Sequence, residues 1–545
     1  MKKLLYSLPL LLALSACSSE EVTAPEVPST PEGNGGYYLT MKFDVPTELA
    51  GTRAGEILGG EANEWKLTSI DLYLLDNNEG EGKYNVLWKK EGIAVSDGTP
   101  AESEDDVNQK YNVKAKLSID SDNDELAALG KLKGHNVTVL VVGNPDQYNG
   151  YTKFDLDENV VGKTYSLPLT VAEGTPTAAI LDFGTEDGGK EMPMSNHNAS
   201  AVITAFQGLQ GTGEALTAEI RALFTIENGD YIYNLTSGTD NEIAVERAIA
   251  RLDLSPNTAE GDFKGTFKYD LNDGTYGDSG INLELYSVQP FNVNNTSYIV
   301  RHGSETGDAE AAKSALTLWG AGDANANWIG DPNWGEFSVS SPYFTESTRP
   351  VYNQLSKTGN IFSIPTGPNT NDPTIVSATF TSSRHQTEGC YNWCYVTENT
   401  LPSITAMASG GLEANATGVL FKFQVLDTEG KAITTTTEST KFPTGVAKTS
   451  EGKLVVVLQQ TGKKMEIAPE GTDYFLAYPG YITHNPKASS ASTLNPMNYG
   501  VVRNTVYQLQ VNSISTLPDP EDPDYYLTLD INVLNWKSKQ VGFEF

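Results

Sequence analysis

A chain of 545 residues exceeds what one hydrophobic core usually serves, so two domains behind a leader are expected. Its 37 Lys+Arg against 70 Asp+Glu give a net charge of −33, which argues against nucleic acid and anionic membrane surfaces as partners. Charged residues make up only 20% of the chain and Gly, Thr, Asn and Tyr are frequent, a β-rich, secreted composition and not a disordered one.

Lys2-Lys3 followed by the apolar run of residues 4–14 reads as a signal peptide over 1–16, too short for a spanning helix. The run ends in Leu14-Ser15-Ala16-Cys17, which looks like a lipobox and makes Cys17 the candidate lipid-bearing residue. A plain secretory signal with an incidental cysteine is the alternative. Two or more acyl chains make a stable anchor, so the membrane is a partner only through the lipid of the precursor. Residues 22–36, rich in Pro, Glu, Gly and Thr, read as a tether.

The first strand is unambiguous in pattern. Tyr37, Leu39, Met41, Phe43 and Val45 alternate with Tyr38, Thr40, Lys42 and Asp44, which predicts a half-buried strand with one face for a core. Pro46 stops it. The small-residue stretch 49–55 (LAGTRAG) then places Arg53 where a trypsin-like protease cuts. Further strands are predicted over 67–75, 111–119 and 137–142, with a short helix over 120–134. The stretch 241–254 (NEIAVERAIARLDL) marks the change of domain, dividing 54–245 from 246–516. A second series of strands follows over 265–271, 281–289, 374–380, 418–426, 453–459, 472–476 and 505–511, while 302–344 has no evident organisation. The fold class is therefore mainly β: two β-sandwich-like, transthyretin-like domains with a few short helices.

The acidic, Pro-rich spacer 517–524, extended at ~3.1 Å per residue, would carry the tail roughly 20–25 Å from its own body. Over 525–533 the inward set is Tyr525, Leu527, Leu529, Ile531 and Val533; Trp536 follows, then Val541, Phe543 and Phe545 in a second short alternation. A removable first strand and a tail of the same pattern suggest substitution between molecules: the tail of one copy fills the place vacated in another.

These features resemble the fimbrillins of the Bacteroidetes, the FimA/Mfa-type subunits of type V pili, and most closely the Mfa branch. The LSAC lipobox, Thr52-Arg53-Ala54-Gly55, residues 246–251 (ERAIAR) and the ordered tail (residues 504–507, the Pro spacer, 529–536, Phe543-Glu544-Phe545) carry the likeness; VLVVGNP at 139–145 and MPMS at 192–195 add to it. Ser18-Ser19-Glu20-Glu21 also resemble the acidic export tract of surface lipoproteins in that group. The resemblance implies a lipidated propeptide over 17–53, cleavage by an Arg-specific protease that leaves Ala54 as the new N-terminus, and donor strands within 525–545. It implies as partners further copies of the chain, joined head to tail, with anchor and tip fimbrial subunits. The resulting fibre would serve adhesion and biofilm formation. The competing class is a monomeric, glycan-binding outer-membrane surface lipoprotein.

No enzymatic chemistry, metal or cofactor is expected. Gly277-Asp278-Ser279-Gly280 copies a serine-protease tetrapeptide, but catalysis also needs a His base and an acid, and a turn accounts for it better. Asp120, Asp122 and Asp124 imitate a calcium loop whose Gly and closing Glu positions hold Glu125 and Lys131, so helix capping is preferred. Cys390 and Cys394 are a candidate disulfide pair outside the cytoplasm. A fully extended strand would separate them by ~13 Å, so a bridge demands a turn.

Overall fold

The computed structural model describes residues 35–46, 48–51, 57–59, 62–78, 83–95, 108–120, 123–148, 151–166, 191–196, 202–236, 242–257, 262–272, 277–291, 296–304, 317–319, 328–330, 362–363, 386–387, 390–400, 416–484, 499–518 and 527–536. Two main sheets with separate cores make up a mainly β, sandwich-like protein with few and short helices.

The first sheet includes Tyr37–Pro46 (β1), Ser69–Asn78 (β4), Lys83–Ala94 (β5), Asn108–Leu117 (β6), Val137–Gly143 (β7), Met194–Asn196 (β8), Asp230–Asn234 (β9) and Ile243–Arg247 (β10), with two short strands, Val202–Ile203 and Thr225–Glu227, besides. Between β1 and β4 lie Glu48–Gly51 (β2), Ile57–Gly59 (β3) and Ala62–Trp65 (α1). β7 is buried at every position, as its unbroken VTVLVV run demands, and sits between β4 and β8. Asn144, left-handed at φ 51°, follows it and ties three segments. Its amide donates to the carbonyls of Lys66 and Met192, and its Oδ1 accepts from Thr68 N–H.

The second sheet contains Ala250–Ser255 (β11), Lys268–Asn272 (β12), Asp278–Phe291 (β13), Cys390–Val396 (β14), Gly418–Val425 (β15), Phe475–Tyr481 (β16), Thr505–Ile514 (β17) and Leu527–Trp536 (β18). Its path runs β14-β11-β17-β12-β13-β15-β16, with β18 on the other edge of β17. Only Ala248 and Ile249 separate β10 of the first sheet from β11 of the second, and both are fully buried.

Several expectations need correction. The helix expected over 120–134 shrinks to Glu125–Ala128 (α2) and one 3₁₀ turn. Asp120 instead pairs as a short strand, and Asp124 caps the helix by accepting from Ala127 N–H at 2.8 Å. Part of the stretch left unorganised at 302–344 closes the first core: Leu318 and Trp319 pack there with Ile299 and Val300, and Trp319 Nε1 donates to the Asn196 carbonyl at 2.9 Å. The first core thus takes residues from beyond 246. The tail also lies back on its own sheet, where the spacer was expected to carry it clear. The paired backbone positions of β17 offer the returning chain more than extended water-exposed backbone does. The strand expected over 374–380 falls outside the described residues.

Buried ion pairs fill the junction. Arg251 Nη1 donates to both carboxylate oxygens of Glu64 at 2.9 Å, while its Nε and Nη2 make a two-pronged contact with Asp253 at 2.8 Å. Tyr395 Oη also donates to Glu64, at 2.8 Å. The flanking carboxylates hold the Arg251 guanidinium charged despite its burial. Arg503 pairs with Glu398 at 2.7 Å and donates to the Ile299 and Tyr298 carbonyls, and Arg301 pairs with Glu246. Because Glu64 belongs to α1 and Arg251 to the second sheet, this contact fastens the start of the first domain to the second. Removing one partner of such a pair leaves a buried charge uncompensated. Glu64→Ala is expected to cost about 3–5 kcal/mol, read as a lowered urea midpoint, whereas an exposed Glu429→Ala should cost below about 1 kcal/mol.

Two buried histidines respond to pH. His302 Nδ1 lies 2.8 Å from the Val300 carbonyl and Nε2 accepts from Gly162 N–H at 3.0 Å, so the ring is neutral with both nitrogens engaged. His484 Nδ1 lies 2.8 Å from the Tyr507 hydroxyl. Burial pushes each pKa down to about 4. A histidine in the unfolded chain titrates near ~6.5, so between roughly pH 6.5 and 4 the unfolded state binds more protons. Their contribution is whole above that window and is lost as pH falls through it, by roughly 3 kcal/mol each. The urea midpoint should drop more steeply from pH 7 to 4.5 than in the His302→Gln, His484→Gln double variant.

Candidate functional site

The predicted removable strand, β1, lies between other strands of the first sheet on both edges. β6 pairs antiparallel with β1 along its whole length, from Tyr37↔Leu117 to Pro46↔Asn108. The opposite edge is shared by β9, parallel from Tyr37↔Tyr231 to Thr40↔Asn234, and β10, parallel at Phe43↔Ile243 and Asp44↔Ala244. The alternation reads true: Leu39, Met41, Phe43 and Val45 are at most 1% exposed, Tyr37 7%, and Lys42 is exposed. Asp44 departs from it, being buried on the opposite face. Tyr37 stacks on Tyr231 at 4.5 Å and meets Phe224 edge-on at 5.2 Å, and burial raises the pKa of its phenol. Burial of these five side chains is worth about 8–15 kcal/mol before entropy costs.

The tail is held differently. β18 pairs antiparallel with β17 from Leu527↔Ile514 to Asn535↔Thr505, with one irregularity near Val511. Leu529 and Ile531 are only half-buried and pack at the margin of the second core. Leu527, Val533 and Trp536 occupy register positions on the same strand. On the outer edge β2 pairs with its last residues, Leu49↔Trp536, Ala50↔Asn535 and Gly51↔Leu534, and β2 pairs in turn with β3.

Of the remaining candidates, Cys17, Arg53, Ala54, Val541, Phe543 and Phe545 lie outside the described residues. In sequence Arg53 falls between β2 and β3. Cys390 and Cys394 both stand on β14, which pairs with β11 and has one irregularity opposite Leu252/Asp253. That strand is extended and lacks the turn a bridge between them requires. Ser279 of the protease-like tetrapeptide donates to the Leu271 carbonyl and accepts from Ile281 N–H, while Asp278 accepts from Gly280 N–H; these residues begin β13, and the turn expected just before them, from Asp273, lies outside the described residues.

The ERAIAR stretch, where the change of domain was expected, supplies Glu246 and Arg251 to the buried ion pairs, and Arg247 Nη1 donates to Asn504 Oδ1 at 3.3 Å. Charges interrupting an apolar pattern were the one signal for this junction. The partners Arg301 of Glu246 and Glu64 of Arg251 had none, since they lie 55 and 187 residues away along the chain, and nor did the separate pair Arg503 and Glu398.

Residues 470–541, which span β16, β17 and β18, match the family described as major fimbrial subunit protein type IV, fimbrillin, C-terminal. The likeness to fimbrillins, subunits of cell-surface fimbriae, is thus shown for this C-terminal segment. Among solved structures it is similar to a candidate cell adhesion protein from Parabacteroides distasonis (10% identity, 93% of this chain and 99% of that one, TM-score 0.39). It is also similar to a fimbrilin, fimA, from Porphyromonas gingivalis W83 (13% identity, 91% and 96%, TM-score 0.35). The tip fimbrial protein Mfa3 of Porphyromonas gingivalis, with a C-terminal truncation, is similar at 13% identity (92% and 99%, TM-score 0.29). At these scores the likeness is loose, and the family match carries the class. No curated protein matches the chain significantly.

The two strands should differ sharply when truncated in the uncut chain. Phe43→Ala is expected to cost about 3–5 kcal/mol and Leu529→Ala below about 2 kcal/mol, measured as urea-midpoint shifts.

Proposed function

We propose that this chain is a shaft subunit that polymerises by strand exchange. It is exported as a lipoprotein on Cys17 and cut after Arg53 by an Arg-specific protease. β1 then leaves with the lipid, and β18 of a second copy takes the vacated slot. The observation that carries this reading is a match of length and pattern. β1 and β18 are both ten-residue strands, and Leu527, Leu529, Ile531 and Val533 fall on the same alternate positions as Tyr37, Leu39, Met41 and Phe43. An occupant must run antiparallel to β6 and parallel to β9 and β10, which fixes its direction. Register is then set as well, because a one-residue slip would turn every apolar side chain out of the core.

The energetics favour the exchange. Leu529 and Ile531, half-buried in their own sheet, gain burial in a slot where Leu39, Met41, Phe43 and Val45 of β1 are almost fully buried. Four apolar side chains fully buried contribute about 6–12 kcal/mol before entropy costs. An empty slot would expose an apolar trough and two unpaired edges, a strong aggregation hazard, so cutting and filling must be coupled. Slot and tail lie in different sheets, which makes the contact head-to-tail and non-closing, hence a filament. Anchor and tip subunits would end that filament, and adhesion and biofilm formation are the roles such a fibre serves.

Treatment with an Arg-specific protease should yield SDS-resistant ladders whose subunits begin at Ala54. Leu529→Asp with Ile531→Asp should give a folded, cleaved monomer and no ladder. Ladders undiminished in that variant, or a single uncut species that binds a polysaccharide, would overturn the reading.

A further inference from the structure

We infer that β2 is a latch that holds the tail closed in the uncut chain, so that one cut frees both the slot and the strand that fills it. The inference rests on the strand-exchange reading of β18 but draws on contacts that reading does not use.

β1 ends at Pro46 in the first sheet, and two residues later, at Glu48, the chain has entered the second. There β2 lies between two strands. Glu48, Leu49 and Ala50 pair with Gly59, Leu58 and Ile57 of β3, and Leu49, Ala50 and Gly51 pair with Trp536, Asn535 and Leu534 of β18. The segment preceding the cut is thus one strap across both sheets: β1 occupies the slot and β2 covers the tail.

The place of the second contact matters. Leu527 is tied to β17 through residues 515–526, so the β17–β18 hairpin opens from its far end, at Trp536. β2 pairs at that far end and, among the described residues, is the only strand on the outer edge of β18. Over its last three positions β18 is an interior strand; over the rest it is an edge strand held on one side. Opening the hairpin therefore requires β2 to leave first.

β2 cannot leave easily while the chain is intact. It is tied to β1 through Thr47 on one side and to β3 through residues 52–56 on the other, so the entropy of departure is withheld. A break after Arg53 severs the second tie. When β1 departs, β2 goes with it, and the far end of β18 becomes free in the same event that empties the slot. An uncut subunit would then be inert at both ends: its own slot is filled, and its tail cannot enter a neighbour's.

The test is amide hydrogen–deuterium exchange at residues 532–536 in the uncut Arg53→Ala full chain, with and without Leu49→Pro and Ala50→Pro. Proline removes the backbone donor and cannot continue an interior strand. Exchange there should rise about tenfold, the worth of one to two hydrogen bonds, while amides of β15 and β16 stay protected as evidence of an intact fold. Should the double proline variant not fold, Leu49→Gly with Ala50→Gly should give a rise in the same direction. Unchanged exchange at 532–536 with the fold intact overturns the latch. Ladder formation by the cut wild-type chain is scored separately. Its absence alongside faster exchange refutes strand exchange and leaves the latch standing, whereas ladders with unchanged exchange refute the latch alone.

Discussion

A β-strand that is hydrogen-bonded along both edges and buried on its apolar side can leave a sheet only as a whole. β1 is such a strand, with β6 on one edge, β9 and β10 on the other, and five side chains in the first core. The rest of the first sheet is arranged around that place. The strands on either side of it come from different parts of the chain, and among the described residues only β1 joins β6 to β9 and β10. The first sheet is complete only while that place is occupied, and any occupant must match it in length, direction and alternation.

The second sheet has the complementary construction. β17 is its inner strand, parallel to β11 on one side and antiparallel to β18 on the other. β17 places Tyr507, Leu509, Val511 and Ile514 in the second core, while Leu529 and Ile531 of β18 are half-buried at its margin. Stability in this domain is thus placed in the inner strands and kept out of the tail.

Between the sheets stand Arg251 with Glu64 and Asp253, Arg503 with Glu398, and Arg301 with Glu246. Ion pairs buried this deeply contribute little net stability, but they tolerate few alternative arrangements, because any shift strands a charge in an apolar surrounding. In a filament, load passes through every subunit. A junction fixed by directional, paired charges resists sliding better than an apolar one of similar size. Glu64 lies beyond Arg53 in sequence, and Arg251 and Tyr395 both lie on the second sheet, so the fastening does not involve β1 or β2.

Local regularity was legible in the residues. The alternation from Tyr37 to Val45, the unbroken apolar run of β7 and the tail from Leu527 to Val533 all appear as strands close to where their period places them, because side-chain direction in a strand depends only on parity. Asp278, Ser279 and Gly280, expected as part of a turn, instead begin β13. Which strands neighbour one another was not legible. Backbone hydrogen bonds carry no residue identity, so no sequence feature says that β10 lies beside β1, that the tail returns to β17, or that Glu48–Gly51 crosses to the other sheet. The partners of Arg251 and Arg503 were hidden for a related reason: a buried charge announces that it needs a counter-charge but not where along the chain that charge lies. The order of residues was enough to specify the strands, their apolar faces and the class of protein. Which edges are filled, and by what, came from the folded chain alone, since pairing is set by the packing of distant segments and not by local preference.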